Sequence, residues 1–400
     1  MERKKLLLIS ISLVVILAVM SFMPACKTKT EVKTLQIGGL WALSGWASVN
    51  DVKSSIAGQI AVDMFNERGG LIINGQKYEV ELVIEDTKST ADGAVAAANV
   101  LVHDKGIKFI AGPFAFFSAA AASVCEPEKV LRSSFYNLGM PGEIGPDVPY
   151  AFCGGACSIA NAIAGMEYLQ KTYPDVKNIV QIEAFGAYAP ETALKVEKLL
   201  GEHGISRVGD VILFPDETLD FSPFVAKVVE QDPDALYIIS GMVNHVGSIL
   251  KGLREAGWNK LFAISTSMSG KELMEVSGKA TATNAFILND VPGAPGTPPL
   301  LAEFQDRTME EIGDVSIVYG FGFNSVWTLL EAIETAQSLD TTVVKETWEK
   351  LDTIETCYGT GWIGGQETYG IRHQVSHKMP VTVVDNGELK FAEWVEVHIP

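Results

Sequence analysis

The chain has 400 residues, of which 47% are hydrophobic and 20% charged, and its formal net charge is −18. That length and apolar content suit two or three domains with sizeable cores and exclude a disordered chain. So acidic a balance argues against a nucleic-acid or anionic-membrane surface.

Taken in chain order, residues 1–25 read as a targeting segment. Glu2-Arg3-Lys4-Lys5 is a short basic start, residues 6–20 are apolar apart from Ser10 and Ser12, and Phe22-Met23-Pro24-Ala25-Cys26 follows. A small residue before a cysteine at the end of an apolar run resembles a bacterial lipobox, which implies cleavage before Cys26 and lipidation of its thiol. Residues 26–33 are then a polar tether. The alternative is an uncleaved anchor, because residues 6–23 nearly span a bilayer core of ~30 Å. Either way the folded part is expected outside the cytoplasm, in the periplasm or at the cell surface.

Residues 35–40 form a short apolar run ended by Ser44-Gly45. From Val52, apolar residues return at helical spacing (Ile56, Ile60, Met64) until Gly69-Gly70. Asn74-Gly75 predicts a hairpin turn. Alternating strands and helices follow: helix over 90–102, strand 109–113, helix 115–124 and strand 130–137, then a Pro/Gly-rich loop over 141–149. The alternation resumes without a compositional break. Helices are predicted over 158–172, 193–200, from Asp220 onward and over 243–256, and strands over 178–183, 208–214, 235–240, 261–265 and 286–289. The stretch 292–299 reads as a linker, 300–351 as two or three helices, and the tail as strands with a turn at Asp385-Asn386-Gly387. Alternating βα architecture twice over implies an α/β chain with two doubly wound parallel-sheet lobes. Cys125, Cys153, Cys157 and Cys357 are read as a disulfide set or as buried thiols, since no histidine stands near Cys153 and Cys157 to complete a metal site.

Three stretches carry a resemblance in their order and spacing: Leu43-Ser44-Gly45 after the first strand, Asp220-Phe221-Ser222-Pro223-Phe224-Val225-Ala226-Lys227, and Asp232-Pro233-Asp234-Ala235-Leu236-Tyr237. The chain resembles the leucine/isoleucine/valine-binding protein family, the type I periplasmic solute-binding proteins of ABC importers, over nearly its whole mature length. That resemblance implies a periplasmic-binding-protein-like fold with a three-crossover hinge. Lobe 1 would be residues 34–157 and 288–355, and lobe 2 residues 158–287 and 356–400. It further implies a monomeric, lipid-anchored receptor, with no cofactor and no metal, that delivers a small-molecule ligand to ABC permease subunits in the membrane.

Loops at the carboxyl ends of the strands are where such a fold places its ligand. In lobe 1 these are Trp41, Ser44 and Trp46, then Phe114, Ala115, Phe116, Phe117 and Ser118, then Tyr136 and Asn137. In lobe 2 they are Tyr188, Met242, His245, Thr266 and Ser267. Relatives place serines where Phe116 and Phe117 stand, and a glutamate facing the ligand ammonium where Thr266-Ser267 stands. Together with Phe185, these aromatic residues predict a hydrophobic or aromatic carboxylate, with branched-chain amino acids as the family default and His245 a candidate partner for the carboxylate. The enzyme motifs are incomplete. Gly320-Phe-Gly322 lacks a third glycine and Ser269-Gly270-Lys271 lacks the glycine of a phosphate loop, so a binding protein is expected and not an enzyme. A ligand-sensing receptor module of the same fold is the alternative. Adjacent permease and ATPase genes would separate the two.

Overall fold

The computed structural model describes residues 31–400. The expected targeting segment and Cys26, the expected lipidation site, lie outside the described residues. The chain begins with β1 (Lys33–Trp41), α1 (Ser48–Glu67), β2 (Leu71–Ile73), β3 (Gln76–Asp86), α2 (Ala91–Asn99), β4 (Phe109–Ala111), α3 (Ala115–Cys125), β5 (Leu131–Asn137) and β6 (Ala151–Cys157). It continues through α4 (Ser158–Thr172), β7 (Asn178–Ala184), α5 (Pro190–Glu202), β8 (Ser206–Arg207), β9 (Ile212–Phe214), α6 (Ser222–Gln231), β10 (Ala235–Ile238), α7 (Val243–Glu255), β11 (Leu261–Ser267), α8 (Gly270–Ser277) and β12 (Ala285–Leu288). The last part holds α9 (Pro299–Glu311), α10 (Ile317–Ala336), α11 (Thr341–Trp348), β13 (Thr353–Thr356), β14 (Gly359–Gly364), α12 (Gln366–Tyr369), β15 (Gln374–Ser376), β16 (Met379–Asp385) and β17 (Glu388–Val395).

Two sheets result. The first runs β13-β14-β15-β6-β5-β4-β1-β3-β2, and the second runs β17-β16-β12-β11-β10-β7-β8 with β9 also paired to β7. Their centres are parallel; both edges of the first sheet and the β16–β17 edge of the second are antiparallel, while the β8 edge is parallel. The β2–β3 hairpin turns at Asn74-Gly75, both at positive φ, as its sequence predicts. In each sheet the chain steps to one side of its first strand and then to the other. β1 is flanked by β3 and β4, and β7 by β8, β9 and β10. That reversal opens a crevice at the carboxyl ends of the strands, and the two crevices face one another.

Two expectations need correction. β6 was not predicted, because Cys153-Gly154-Gly155-Ala156-Cys157 has the composition of a loop. It is a fully buried central strand, and its glycines admit a close neighbour: a Cβ at Gly155 would sit 1.8 Å from the Phe135 carbonyl oxygen. The lobe boundary at 355/356 is also displaced. β13, β14 and β15 extend the first sheet, β15 pairing with β6 at Cys153, so the chain crosses to the second sheet only between Ser376 and Met379. A return follows. After β17 the tail goes back to the first lobe, where Gly365 N–H donates to Ile399 O (3.0 Å) and Thr368 N–H to Pro400 O (3.0 Å). The bare backbone of Gly364 makes room for it, since a Cβ there would stand 2.0 Å from Ile399 O. The three crossovers are thus joined by a fourth strand of chain. Between the crossings lies a buried polar knot. Tyr358 OH donates to Asp290 Oδ2 at 2.9 Å, and His377 stacks on the Tyr358 ring at 4.4 Å. All four described cysteines are free and buried, which resolves the thiol alternatives in favour of thiols.

Candidate functional site

The facing crevices form an interlobe cleft with a cavity of about 100 Å³ that opens to solvent at its mouth. The first lobe supplies an aromatic wall. Trp46 comes from the loop after β1, Phe114 and Phe116 from the start of α3, Phe135 and Tyr136 from β5, and Phe321 from α10. The rings form a connected chain: Trp46–Phe116 at 5.3 Å edge-on, Phe116–Phe114 at 5.4 Å, Phe114–Phe135 at 5.4 Å stacked, Phe114–Tyr136 at 6.1 Å and Tyr136–Phe321 at 5.9 Å. Asn50, Leu138 and Val318 complete this side.

The second lobe supplies the polar side. Ala184 and Ala187 follow β7, Asp216 follows β9, Ile239, Ser240, Gly241 and Met242 follow β10, and Thr266 and Ser267 end β11. Ser240 donates to the buried Glu183 at 3.2 Å, and Gln181 donates to the other Glu183 oxygen. Burial pushes the Glu183 carboxyl up to about 7 against those two hydrogen bonds. Tyr136 OH accepts from Asn161 at 2.8 Å, and Ser267 donates to Asn161 Oδ1 at 3.1 Å, so Asn161 ties the two walls together at the base. Burial holds the Tyr136 phenol well above its ordinary value, so it stays neutral.

The lobes touch across the mouth. Lys53 of α1 pairs with Glu272 of α8, and Asn50 Nδ2 lies 3.9 Å from Met242 Sδ. Ser269 donates to Asp314 at 2.7 Å, Lys271 to Gly313 O at 3.2 Å, and Thr192 to Leu138 O at 2.8 Å. The cleft is therefore held closed by polar contacts around an apolar interior, the arrangement that shields a bound solute from water.

Of the residues predicted for the site, Trp46, Phe114, Phe116, Tyr136, Met242, Thr266 and Ser267 line the cleft. The others do not. Trp41, the last residue of β1, points into the lobe 1 core and is fully buried. Ser44 turns outward and donates to Asp86 at 2.7 Å. Ala115 and Phe117 face inward from α3, with Phe117 under Trp46. Ser118 is buried, its carbonyl taken by Arg132 (3.2 Å). Asn137 is tied to Gln374 (3.2 Å). Tyr188 is half-buried beyond the short turn Phe185–Ala187, and Phe185 itself is exposed to solvent. His245 packs edge-on against Phe214 at 5.2 Å and also against Phe221, and burial lowers its pKa, so it is a neutral core residue. Thr266-Ser267 brings no carboxylate to the cleft, but Asp216 lines it from another loop, one oxygen accepting from Gly186 N–H at 2.8 Å. Asp216 was legible in principle, because Pro215-Asp216 directly follows a strand end. Phe321 was not, because nothing separates a cleft ring from a core ring along the apolar helix α10.

Residues 34–388 match the family model described as periplasmic binding protein. The chain belongs to that family. Solved binding proteins share its fold. The isoleucine complex of the branched-chain amino acid transporter substrate-binding protein LivJ from Streptococcus pneumoniae is similar at TM-score 0.74 and 20% identity, over 91% of this chain and 100% of that one. The leucine-binding protein LivK from Thermotoga maritima gives 0.73 and 20%, over 91% and 99%. A solute-binding protein of an ABC transporter from Rhodopseudomonas palustris BisB5, in complex with 3,4-dihydroxybenzoic acid, gives 0.68 and 18%, over 91% and 96%. Among the described residues of this binding protein, no group of side chains has a metal-holding arrangement and no helix is long and apolar enough to cross a membrane.

Proposed function

We propose that this binding protein is the extracytoplasmic solute receptor of an ABC importer, tethered by a lipid on Cys26. It captures a small hydrophobic or aromatic solute, of the amino-acid or aromatic-acid class, by closing its lobes. The observation that carries this reading is the aromatic-walled interlobe cleft spanned by cross-lobe polar contacts. The ligands named for LivJ, LivK and the Rhodopseudomonas palustris protein bracket the same two chemical classes.

A thermal-shift panel on protein stripped of ligand by unfolding and refolding tests it. With isoleucine, leucine, valine, phenylalanine, benzoate and 3,4-dihydroxybenzoate at about 100 times Kd, a true ligand raises the midpoint by roughly 5 °C. No shift with any of them would remove the support for these ligand classes. For the tether, mass spectrometry of the membrane-extracted protein is expected to find an acylated Cys26 at the N-terminus. A chain beginning at Met1 with an unmodified Cys26 would sink the anchoring.

A further inference from the structure

A second cavity, of about 240 Å³, shares no residue with the interlobe cleft and lies among the connections between the lobes. It is more than twice the size of the cavity in the cleft and has room for about eight waters at roughly 30 Å³ each. Three of the four connections wall it. Gly296 belongs to the return from β12 to α9, Lys378 to the crossing between Ser376 and Met379, and Trp394 and Glu396 to the end of β17 and the tail beyond it. Tyr358 and Trp362 close it from the β13–β14 hairpin of the first sheet. Both tryptophans are partly exposed, and Trp394 is held in place by donating its Nε1–H to Pro295 O at 2.8 Å. The β16–β17 ladder ends with Met379 opposite Val395, so the next step sets Lys378 opposite Glu396, and both line the cavity. Opposite charges so placed ordinarily pair across the strands. These two do not. Among the described residues, Lys378 Nζ makes no hydrogen bond or ion pair. Glu396 gives one oxygen to His398 Nε2 at 2.9 Å, beside the Trp362 ring, and its other oxygen is unengaged there.

We propose that this cavity is a second binding site, separate from the cleft, for a small aromatic zwitterion. The carboxylate of the ligand meets Lys378, its ammonium meets Glu396, and its ring packs against the Trp362 and Trp394 indoles. The two unpaired charges demand both groups. A carboxylate without an ammonium would set a second anion beside Glu396, and an amine without a carboxylate would set a second cation beside Lys378. Ring-to-ring contact adds to the burial of apolar area, and the indole faces attract the ammonium as well. Since three connections wall the cavity, its occupant braces the lobes as they stand in this closed form, and hinge motion would have to move its walls against one another.

Isothermal titration with L-tryptophan, tryptamine and indole-3-propionate tests this on stripped mature protein carrying Phe114→Ala, a change that removes a ring of the cleft wall and touches nothing in this cavity. L-Tryptophan is expected to bind, and each singly charged indole to bind about tenfold more weakly or worse, having lost one charge-assisted contact. Lys378→Met and Glu396→Gln, both at exposed positions, are expected to leave the unfolding midpoint in place and to weaken L-tryptophan by about tenfold when added to Phe114→Ala. Bound L-tryptophan should also slow amide exchange over residues 290–298 and 376–380. Absence of L-tryptophan binding would overturn the inference, as would binding that neither Lys378→Met nor Glu396→Gln weakens, or indole-3-propionate binding as tightly. L-Tryptophan that binds the parent and not the Phe114→Ala protein belongs to the cleft: the second site then falls, and the reading of the cleft as the solute site stands.

Discussion

Trp41→Ala is expected to lower the unfolding free energy by about 3–5 kcal/mol, while Trp46→Ala, five residues on, changes it by less than about 1 kcal/mol. Trp41 ends β1 and Trp46 follows it in the next loop, and the two look alike in sequence. Trp41 is fully buried, and its ring lies against Gly58 of α1, where a Cβ would come within 3.0 Å of it, so its removal opens a cavity between α1 and β1 that the helix backbone cannot fill. Trp46 is 51% exposed and packs against the rings of Phe116 and Phe117. The ranking should reverse for ligand binding, where Trp46→Ala removes the outermost ring of the wall. Trp41→Phe is the milder core change, because Trp41 Nε1 finds no hydrogen-bond partner among the described residues and phenylalanine discards that buried N–H. Urea unfolding of the three variants checks the order. Equal losses for Trp41→Ala and Trp46→Ala would contradict the core assignment of Trp41.

Stability should fall as pH rises from about 6.5 to 8, by at least about 2 kcal/mol. Four buried carboxyls are pushed up by burial: Asp51, Glu183 and Asp290 to about 7, and Glu143 to about 8. A carboxyl raised in the folded state binds its proton more tightly there than in the unfolded chain. Its stabilising contribution is therefore complete at acid pH and is lost as pH climbs through the folded value. His377 works in the opposite sense, lowered by burial to about 4, but its contribution is lost only as pH drops below the ordinary histidine value. His245 and His373 are lowered by burial as well, and just above about 6.5 these histidines offset the carboxyls only in part, because they are mostly neutral in both states by about pH 7.5. Asp51 is the sharpest probe. It accepts the Ala42 N–H at 2.9 Å, which an asparagine oxygen can also do. Asp51→Asn is expected to remove roughly 1 kcal/mol of the pH dependence and to leave the Ala42 contact in place. Unfolding free energies that are flat from pH 6.5 to 8 would show these acids to be ionised in the folded protein.

The alternation of strands and helices was readable because each β1-to-α1 type of unit carries its own period, its own caps and its own glycine stop. Partners were not readable, and the errors lie there. β13 to β15 look like strands in sequence, but nothing in them says which sheet they join. That is set by the Cys153–Gln374 pairing, more than two hundred residues apart in the chain. β6 was hidden because Gly154 and Gly155 look like a turn, whereas what they supply is thinness. At the site, the carboxyl-edge rule found the loops after β1, β4, β5, β10 and β11 and failed on direction within them. Trp41 and Trp46, Phe116 and Phe117, and Asn137 and Tyr136 are near neighbours that face opposite ways, and facing is decided by the pleat and the helix turn, not by residue type.

The returning tail changes how the two lobes respond to cutting. A protease that nicks any one connection leaves the lobes covalently joined through the others. The segment after β17 also closes a ring of chain that begins at β15, passes through the second sheet's edge hairpin and ends hydrogen-bonded beside α12. Fragments from a single cleavage should therefore co-migrate under native conditions and separate only in denaturant. An affinity tag added after Pro400 would be fastened to the first lobe, next to Thr368, although the strand that leads to it belongs to the second.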